Sequence, residues 1–459
     1  MIADLKPYPE YRETGLRWLG QVPEHWKQRR TKFLFRERVQ KGYPDEPLLA
    51  ATQSKGVVRK EEYGSRTVTA TKDLHLLKLV EQGDYVISLR SFEGGIEVAH
   101  SRGIISPAYT VLAPQKDASQ GYYTHFFKSP DFIRSLTLFV TGIREGQNID
   151  YERLSRAYLP LPPPDEQAAI VRFLGWSNGQ LEKAIRAKRK VITLLNEQKQ
   201  AIIHRAVTRG LDPSVPLKPS GIPWLGDIPE HWEVRPIKHW TKINARTLGE
   251  ATASNFQFRY IDISAVKTGY LIRDPEVIRF DKAPSRARRV LNYGDTIVST
   301  VRTYLKSIWF VENNAEDMIA STGFAVFTPS NEIEPEYLYY ALSDTSYVDQ
   351  VTANSVGIAY PAIAETLLAR FPVAISPSRN EQRDIISEIK AQSVPITTAI
   401  SRFEREIELL REYRTRLVAD VVTGKLDVRE AAAKLPDEVQ TLEFEDDLAA
   451  LEEDVDSTL

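Results

Sequence analysis

The sequence predicts an α+β protein: two α+β domains separated by an antiparallel pair of long helices, arranged as a pseudo-two-fold internal repeat. Residues 15–26 (GLRWLGQVPEHW) and 221–232 (GIPWLGDIPEHW) share eight of twelve positions at a spacing of 206. A solenoid unit runs roughly 20–50 residues, so this period marks a duplicated domain with a connector. The later part of each copy then aligns without gaps at an offset of 215, from Glu166-Gln167 and Glu381-Gln382 to Thr208, Leu211, Asp212 and Thr423, Leu426, Asp427. The second copy has therefore gained nine residues in its middle, which separates a fixed scaffold from a diverged globular part.

The scaffold reads as helix. Leu181, Ile185, Lys188, Ile192, Leu195, Lys199, Ile202 and Ala206 follow a 4-3 spacing, and Ile396, Ile400, Phe403, Ile407, Leu410, Arg414, Leu417 and Val421 repeat it. Such a heptad seam buries one stripe against a partner helix, and its Lys188, Lys199 and Arg414 interruptions can set register. Pro163-Pro164-Asp165 and Pro377-Ser378 are start signals, and Gly210 and Gly424 are stops. An unbroken Glu166–Arg209 helix would span roughly 65 Å at about 1.5 Å per residue. Gly175, Gly179 and Pro395 make a break near the start of each helix plausible. The first helix leads away from one globular half and the second must return, so an antiparallel pair with inverted globular halves is expected.

The globular halves mix short strands and helices. Gly83-Asp84 feeds Tyr85–Leu89, and Gly294-Asp295 feeds Thr296–Val301. Ile104–Ser106 with Tyr109–Leu112 matches Met318–Ser321 with Phe324–Phe327, and Tyr122–Lys128 matches the helix Pro335–Leu342. The expected organisation is a first globular domain over 1–162, a first long helix over 163–212 and a second globular domain over 213–377. A second helix over 378–428 and an acidic tail over 429–459 complete it.

Composition narrows the function classes. The sequence has no cysteine, which excludes disulfides, thiolate zinc sites and thiol catalysis and points to a reducing, cytoplasmic location. No apolar run reaches the roughly 20 residues of a membrane span, and the N-terminus lacks the order of a signal peptide. The net charge of −2 conceals an uneven distribution. Residues 435–459 hold ten Asp and Glu and no Lys or Arg, leaving 60 basic against 52 acidic residues elsewhere. A mildly basic body allows an anionic partner. The tail reads as a disordered or partner-docking segment, with an autoinhibitory mimic of an anionic partner as the alternative.

Motifs for chemistry are missing. The sequence has no phosphate-binding Gly-Lys loop, dinucleotide turn or HExxH. His25 and His231 recur before a Trp in an apolar frame, where a structural role is expected, and Glu61-Glu62 reads as solvated. Ser106-Pro107-Ala108-Tyr109 partly matches an amino-methyltransferase loop, but its second-copy partner Ser321-Thr322-Gly323-Phe324 does not, so a strand entry is expected. Trp18 and Trp26 are read as core residues.

Taken together, Trp18–Trp26 and Trp224–Trp232, the Leu159–Gln167 run LPLPPPDEQ, and the closings Val207–Asp212 and Val422–Asp427 resemble the DNA specificity subunits of type I restriction–modification systems. The second copy departs from the pattern at Phe371–Gln382, which is longer and poorer in proline. The resemblance covers about 15–428. It implies two target recognition domains, each reading one part of a bipartite, asymmetric double-stranded DNA site, with the helix pair as a ruler. It also implies two modification (methyltransferase) subunits and restriction (translocase/nuclease) subunits as partners. No cofactor is expected in this chain; S-adenosylmethionine, ATP and Mg belong to those partners, and the chain itself is non-catalytic. Competing readings are a self-sufficient DNA methyltransferase or nuclease with an unrecognised site, and a coiled-coil decoy that does not bind DNA.

Candidate DNA contacts follow from residue chemistry, since Arg and Lys meet phosphates and Arg, Asn and Gln read base edges. In the first copy they are Arg90, Ser91, Arg102, Arg144, Gln147 and Asn148. In the second they are Arg286, Arg288, Arg289, Arg302, Tyr304, Lys306 and Asn354.

Overall fold

The computed structural model describes residues 5–63, 73–141, 148–312, 315, 317–357 and 360–436. Contacts group the chain into two compact units, one of residues up to Lys188 together with those from Glu404, the other Arg189–Phe403. Among the described residues no helix is long and apolar enough to cross a membrane.

The first unit is built on a four-stranded antiparallel sheet in the order Phe35–Arg38, Thr110–Pro114, Tyr85–Ile87, Glu97–Val98. The strand fed by Gly83-Asp84 is central and fully apolar on both faces, as its Tyr-Val-Ile run requires. Helices Gln120–Phe127 and Pro130–Leu136 supply Tyr122, Tyr123, Phe126, Phe127 and Phe132 to one core; Tyr123 and Phe127 pack on Phe35, and Phe127 on Tyr85, edge to face or tilted. The second unit repeats the sheet order with Thr241–Ile243, Phe324–Pro329, Thr296–Ser299 and Ile308–Phe310. It adds a second four-stranded sheet, Glu276–Arg279, Gln257–Ile261, Met318–Ser321 and Ala287–Val290, whose central pair is parallel.

The long helices run Pro164–Arg209 and Arg379–Val422. All sixteen predicted seam positions are buried or half-buried, as a 3.5-residue repeat facing a partner helix demands. In the first unit Lys188 pairs with Glu406, and Arg414 Nη1 lies 3.5 Å from Glu182 Oε2, which fixes an antiparallel course. In the second unit Lys199 Nζ donates to Thr397 Oγ1 at 3.3 Å. The expected helix breaks do not occur. Gly175 and Gly179 continue the helix because Phe173, Leu174 and Ser177 around them are buried, and packing outweighs about 1 kcal/mol of propensity per glycine. Pro395 lies inside the second helix on an exposed face together with Ala391, so water can reach the carbonyl that the missing N–H leaves free. Both helices end on left-handed glycines, Gly210 and Gly424. Beyond the second, Arg429–Ala433 forms a short helix that buries Ala431 and Ala432. Arg172 holds the carbonyls of Leu435 and Pro436, and the acidic tail from 437 onward lies outside the described residues.

The edge strand of the first sheet carries a buried carboxylate. Glu97 Oε1 accepts from Lys128, whose ammonium also donates to the Gln53 and Gly94 carbonyls, while Glu97 Oε2 has no partner among the described residues. Burial pushes this carboxyl up to about 7 against the pull of Lys128. A value raised in the folded state stabilises folding fully below the unfolded value of 4.5 and loses that contribution as pH rises through 7. Hydrogen-exchange protection of Tyr85–Ile87 should therefore weaken between pH 4.5 and 7 by on the order of 2–3 kcal/mol, a slope that Glu97→Gln removes. The same slope in the variant would assign it to another group.

Candidate nucleic-acid interface

Each unit carries the same clasp. In the first, strand Lys27–Arg30 pairs with Tyr158–Leu161, the run that leads into the long helix. This brings the PEHW motif onto Glu166: Trp26 Nε1 donates to Oε1 at 2.9 Å, and His25 Nε2 lies 2.7 Å from Oε2. Tyr8 OH also donates to Oε1, and burial together with Glu166 holds its hydroxyl far above the usual value. Gln167 Nε2 donates to the Pro162 and Asp117 carbonyls, and its Oε1 accepts from Ser119 N. In the second unit Glu233–Pro236 pairs with Pro372–Ile375. Trp232 Nε1 donates to Glu381 Oε1 at 3.0 Å, His231 Nε2 lies 2.8 Å from Oε2, and Gln382 repeats the role of Gln167. Burial pushes Glu381 up, but the bonds from Ser376, His231 and Trp232 hold it below the usual range. The two histidines are thus structural, and the Glu-Gln pair survives the departure at Phe371–Gln382.

The recurring Gly-Asp is also a structural device. Asp84 accepts from Arg38 Nε at 2.7 Å and from Glu81 N, and Asp295 accepts from Arg246 at 2.6 Å, Asn292 N and Thr328. Sequence reasoning missed Arg38 and Arg246, whose only signal was a basic residue at a similar distance behind each PEHW motif.

Beyond each central strand the chain makes a short turn, Ser91–Gly94 or Thr303–Leu305, with its first hydroxyl turned inward. Ser91 is buried and its Oγ accepts from Ser88 N, which takes it off the outward surface. Thr303 is buried and donates to Ser355 Oγ at 2.7 Å. That bond, with the Val301–Ala362 bridge, brings together two candidate groups that sequence had left about fifty residues apart: Arg302, Tyr304 and Lys306, and the segment of Asn354.

The remaining candidates divide by engagement. Arg90 and Arg286 are exposed and have no ion pair among the described residues. Arg102 is exposed but pairs with Glu46 and Glu81. Arg288 lies over the Phe280 ring and 3.4 Å from Glu250, and Arg289 pairs with Glu365; both side chains are largely covered. Lys306 Nζ lies 3.3 Å from Asp349, and Asn354 Nδ2 caps the Gln350 carbonyl. Arg144 and Gln147 lie outside the described residues, as does the side chain of Asn148.

Lys306 has a left-handed φ of 52°. That conformation costs a non-glycine residue about 1 kcal/mol, whereas an exposed ion pair contributes less. Lys306→Gly should therefore raise the stability of the second unit by about 0.5–1 kcal/mol in urea denaturation; a loss would show that the Asp349 contact outweighs the strain.

Two α+β units with matching sheets and two long, heptad-patterned helices define a duplicated α+β chain built around a helix pair. A chain from a solved type I restriction–modification system, determined in work on its complex assembly and conformational transition, shares this fold. Its TM-score is 0.60 at 15% identity, and the match covers 87% of this chain and 98% of that one. The putative type I restriction enzyme MjaX specificity subunit of Methanocaldococcus jannaschii is 21% identical over 435 residues, 90% of this chain and 96% of its own length. The HindI specificity subunit of Haemophilus influenzae is 22% identical over 181 residues, 37% of this chain and 39% of its own. No family model matches the sequence. The homologues of this chain are therefore specificity subunits of type I restriction enzymes, as the residue-level resemblance implied.

Proposed function

We propose that this chain is the non-catalytic DNA-reading subunit of a type I restriction–modification complex, in which each globular half reads one part of a bipartite asymmetric site. The observation that carries this reading is the repeat itself: one clasp and one sheet occur twice, while the residues around the outward turns differ (Arg90 and Arg102 against Arg302, Tyr304 and Lys306). A fixed frame with two different reading edges suits a target with two different halves. The helix pair sets the spacer between them. S-adenosylmethionine, ATP and Mg act in the modification and restriction subunits, and the complex works in the cytoplasm.

Methylome sequencing with and without this chain tests the reading. A bipartite methylated motif should vanish on deletion; an unchanged methylome in a strain expressing the system rejects it. Methyl transfer by the purified chain alone, given S-adenosylmethionine and DNA, would reject the non-catalytic role.

Docking of two copies of one partner has its own support. Leu194 and Leu409, matched at the 215 offset, are 49% and 47% exposed on their helices. One exposed leucine is ordinary, but the same position exposed in both copies offers one partner two equivalent footholds. Leu409→Asp should leave one methyltransferase subunit bound in native mass spectrometry, and Leu194→Asp with Leu409→Asp none. Two copies retained on the double variant would place docking elsewhere.

A further inference from the structure

The turn between Arg302 and Lys306 differs from its counterpart in one respect that the reading above does not use. In the first unit the turn Ser91–Gly94 tucks its aromatic, Phe92, against the core. In the second unit the matching aromatic, Tyr304, is 51% exposed, beside the partly exposed Leu305. Tyr360 joins them from the neighbouring segment at 66% exposure, with the Arg302 guanidinium 4.9 Å from its ring centre.

This arrangement is held against strain. Arg302 and Lys306 are both non-glycine residues with left-handed φ, 51° and 52°, on either side of three residues. Arg302 N donates to the Pro361 carbonyl at 2.7 Å, Thr303 Oγ1 donates to Ser355, and the Lys306 carbonyl accepts from Thr268 Oγ1 at 2.5 Å. Strain that the surrounding structure over-determines concentrates at sites that grip something. Residues 300–306 and 354–363 contain no Asp or Glu, and Arg302 has no carboxylate partner among the described residues. An aromatic tip between Arg302, which lacks a carboxylate partner among the described residues, and Lys306, whose exposed 3.3 Å pair with Asp349 a phosphate can replace, fits a polyanion with stacked rings better than it fits a protein surface.

We infer that Tyr304 is a wedge that inserts against a base step of duplex DNA, with Arg302 and Lys306 on the flanking phosphates and Tyr360 holding the Arg302 guanidinium in plane. This deepens the DNA-reading function proposed above and rests on it. An aromatic or apolar side chain that unstacks one step reads the deformability of that step, so the wedge would favour a flexible pyrimidine–purine step in one half-site, without base-edge hydrogen bonds.

The test uses the full-length chain co-assembled with its methyltransferase subunits and a duplex carrying the methylated motif, with 2-aminopurine placed singly along it. Wild-type complex should raise 2-aminopurine fluorescence at one step of one half-site. Tyr304→Ala should bind about tenfold more weakly and lose that rise, while Tyr304→Phe keeps both. Since Tyr304 is half exposed, retained subunit assembly by Tyr304→Ala serves as the folding control. If Tyr304→Ala keeps affinity and fluorescence, the wedge is overturned and DNA reading stands; loss of a protein partner with DNA binding intact overturns it equally. If the wild-type complex does not select the motif duplex over unrelated DNA, the DNA-reading proposal itself falls.

Discussion

Glu166→Ala should destabilise the first unit by about 3–5 kcal/mol, whereas the matching Glu381→Ala should cost the second only about 1–2 kcal/mol. The donor sets are nearly the same, a tryptophan N–H, a histidine nitrogen and a hydroxyl, so the difference comes from burial. The Glu166 side chain is 3% exposed and that of Glu381 27%. Removing Glu166 strands Trp26 Nε1 and Tyr8 OH where water cannot replace it. Around Glu381, water can enter and take up the bonds from Trp232 and Ser376. Hydrogen exchange on strands Lys27–Arg30 and Glu233–Pro236 separates the two effects, because each strand belongs to one clasp. Equal losses would show that the carboxylate acts as a local cap and not as the pin of a buried network. Glu166→Gln, which keeps acceptor capacity, should fall between wild type and Glu166→Ala.

Gly95→Ala is the second change expected to be large. Gly95 has φ 86° at the end of the turn Ser91–Gly94. A Cβ there would lie inside van der Waals contact with the Phe127 carbonyl oxygen and against Ile133. The positive φ with extended ψ costs an alanine roughly 1–3 kcal/mol, and the backbone oxygen cannot move away without shifting helix Gln120–Phe127, which adds about 1–3 kcal/mol. The melting transition of the first unit should drop by about 6–12 °C, with the second unit unchanged. The opposite sign expected for Lys306→Gly makes the pair informative. One turn uses a glycine where backbone crowds it, at positive φ with an extended ψ; the other holds a lysine at positive φ in the left-handed helical region. A Gly95→Ala melting point within 2 °C of wild type would mean that the turn opens at little cost, and would weaken the case for strain at its counterpart.

What was legible in the sequence was local or repeated. The 4-3 spacing located all sixteen seam positions, because helical periodicity is set by neighbours three and four residues away. The proline starts and glycine stops located the helix ends within a few residues for the same reason. The repeat made the PEHW and Glu-Gln motifs stand out, although not that they bind one another across about 140 residues. Helix breaks at Gly175, Gly179 and Pro395 were expected from propensity and did not form, because buried neighbours and solvent access to one carbonyl offset modest local costs.

The candidate contacts were less legible, since a basic side chain in a sequence carries no sign of its partner. Arg102 and Arg289 looked as available as Arg286, yet their charges are taken up by Glu46, Glu81 and Glu365. Tyr360 could not be found at all, because its significance lies in Arg302, a residue distant in the chain. The sequence by itself thus determined the duplication, the fold class, the helix seam and the family resemblance, which depend on spacing along one chain. Only the tertiary structure decided which charges remain free, which carboxylate is buried and which turn presents an aromatic. Those properties are differences in solvation and pairing between residues that the chain brings together only when it folds.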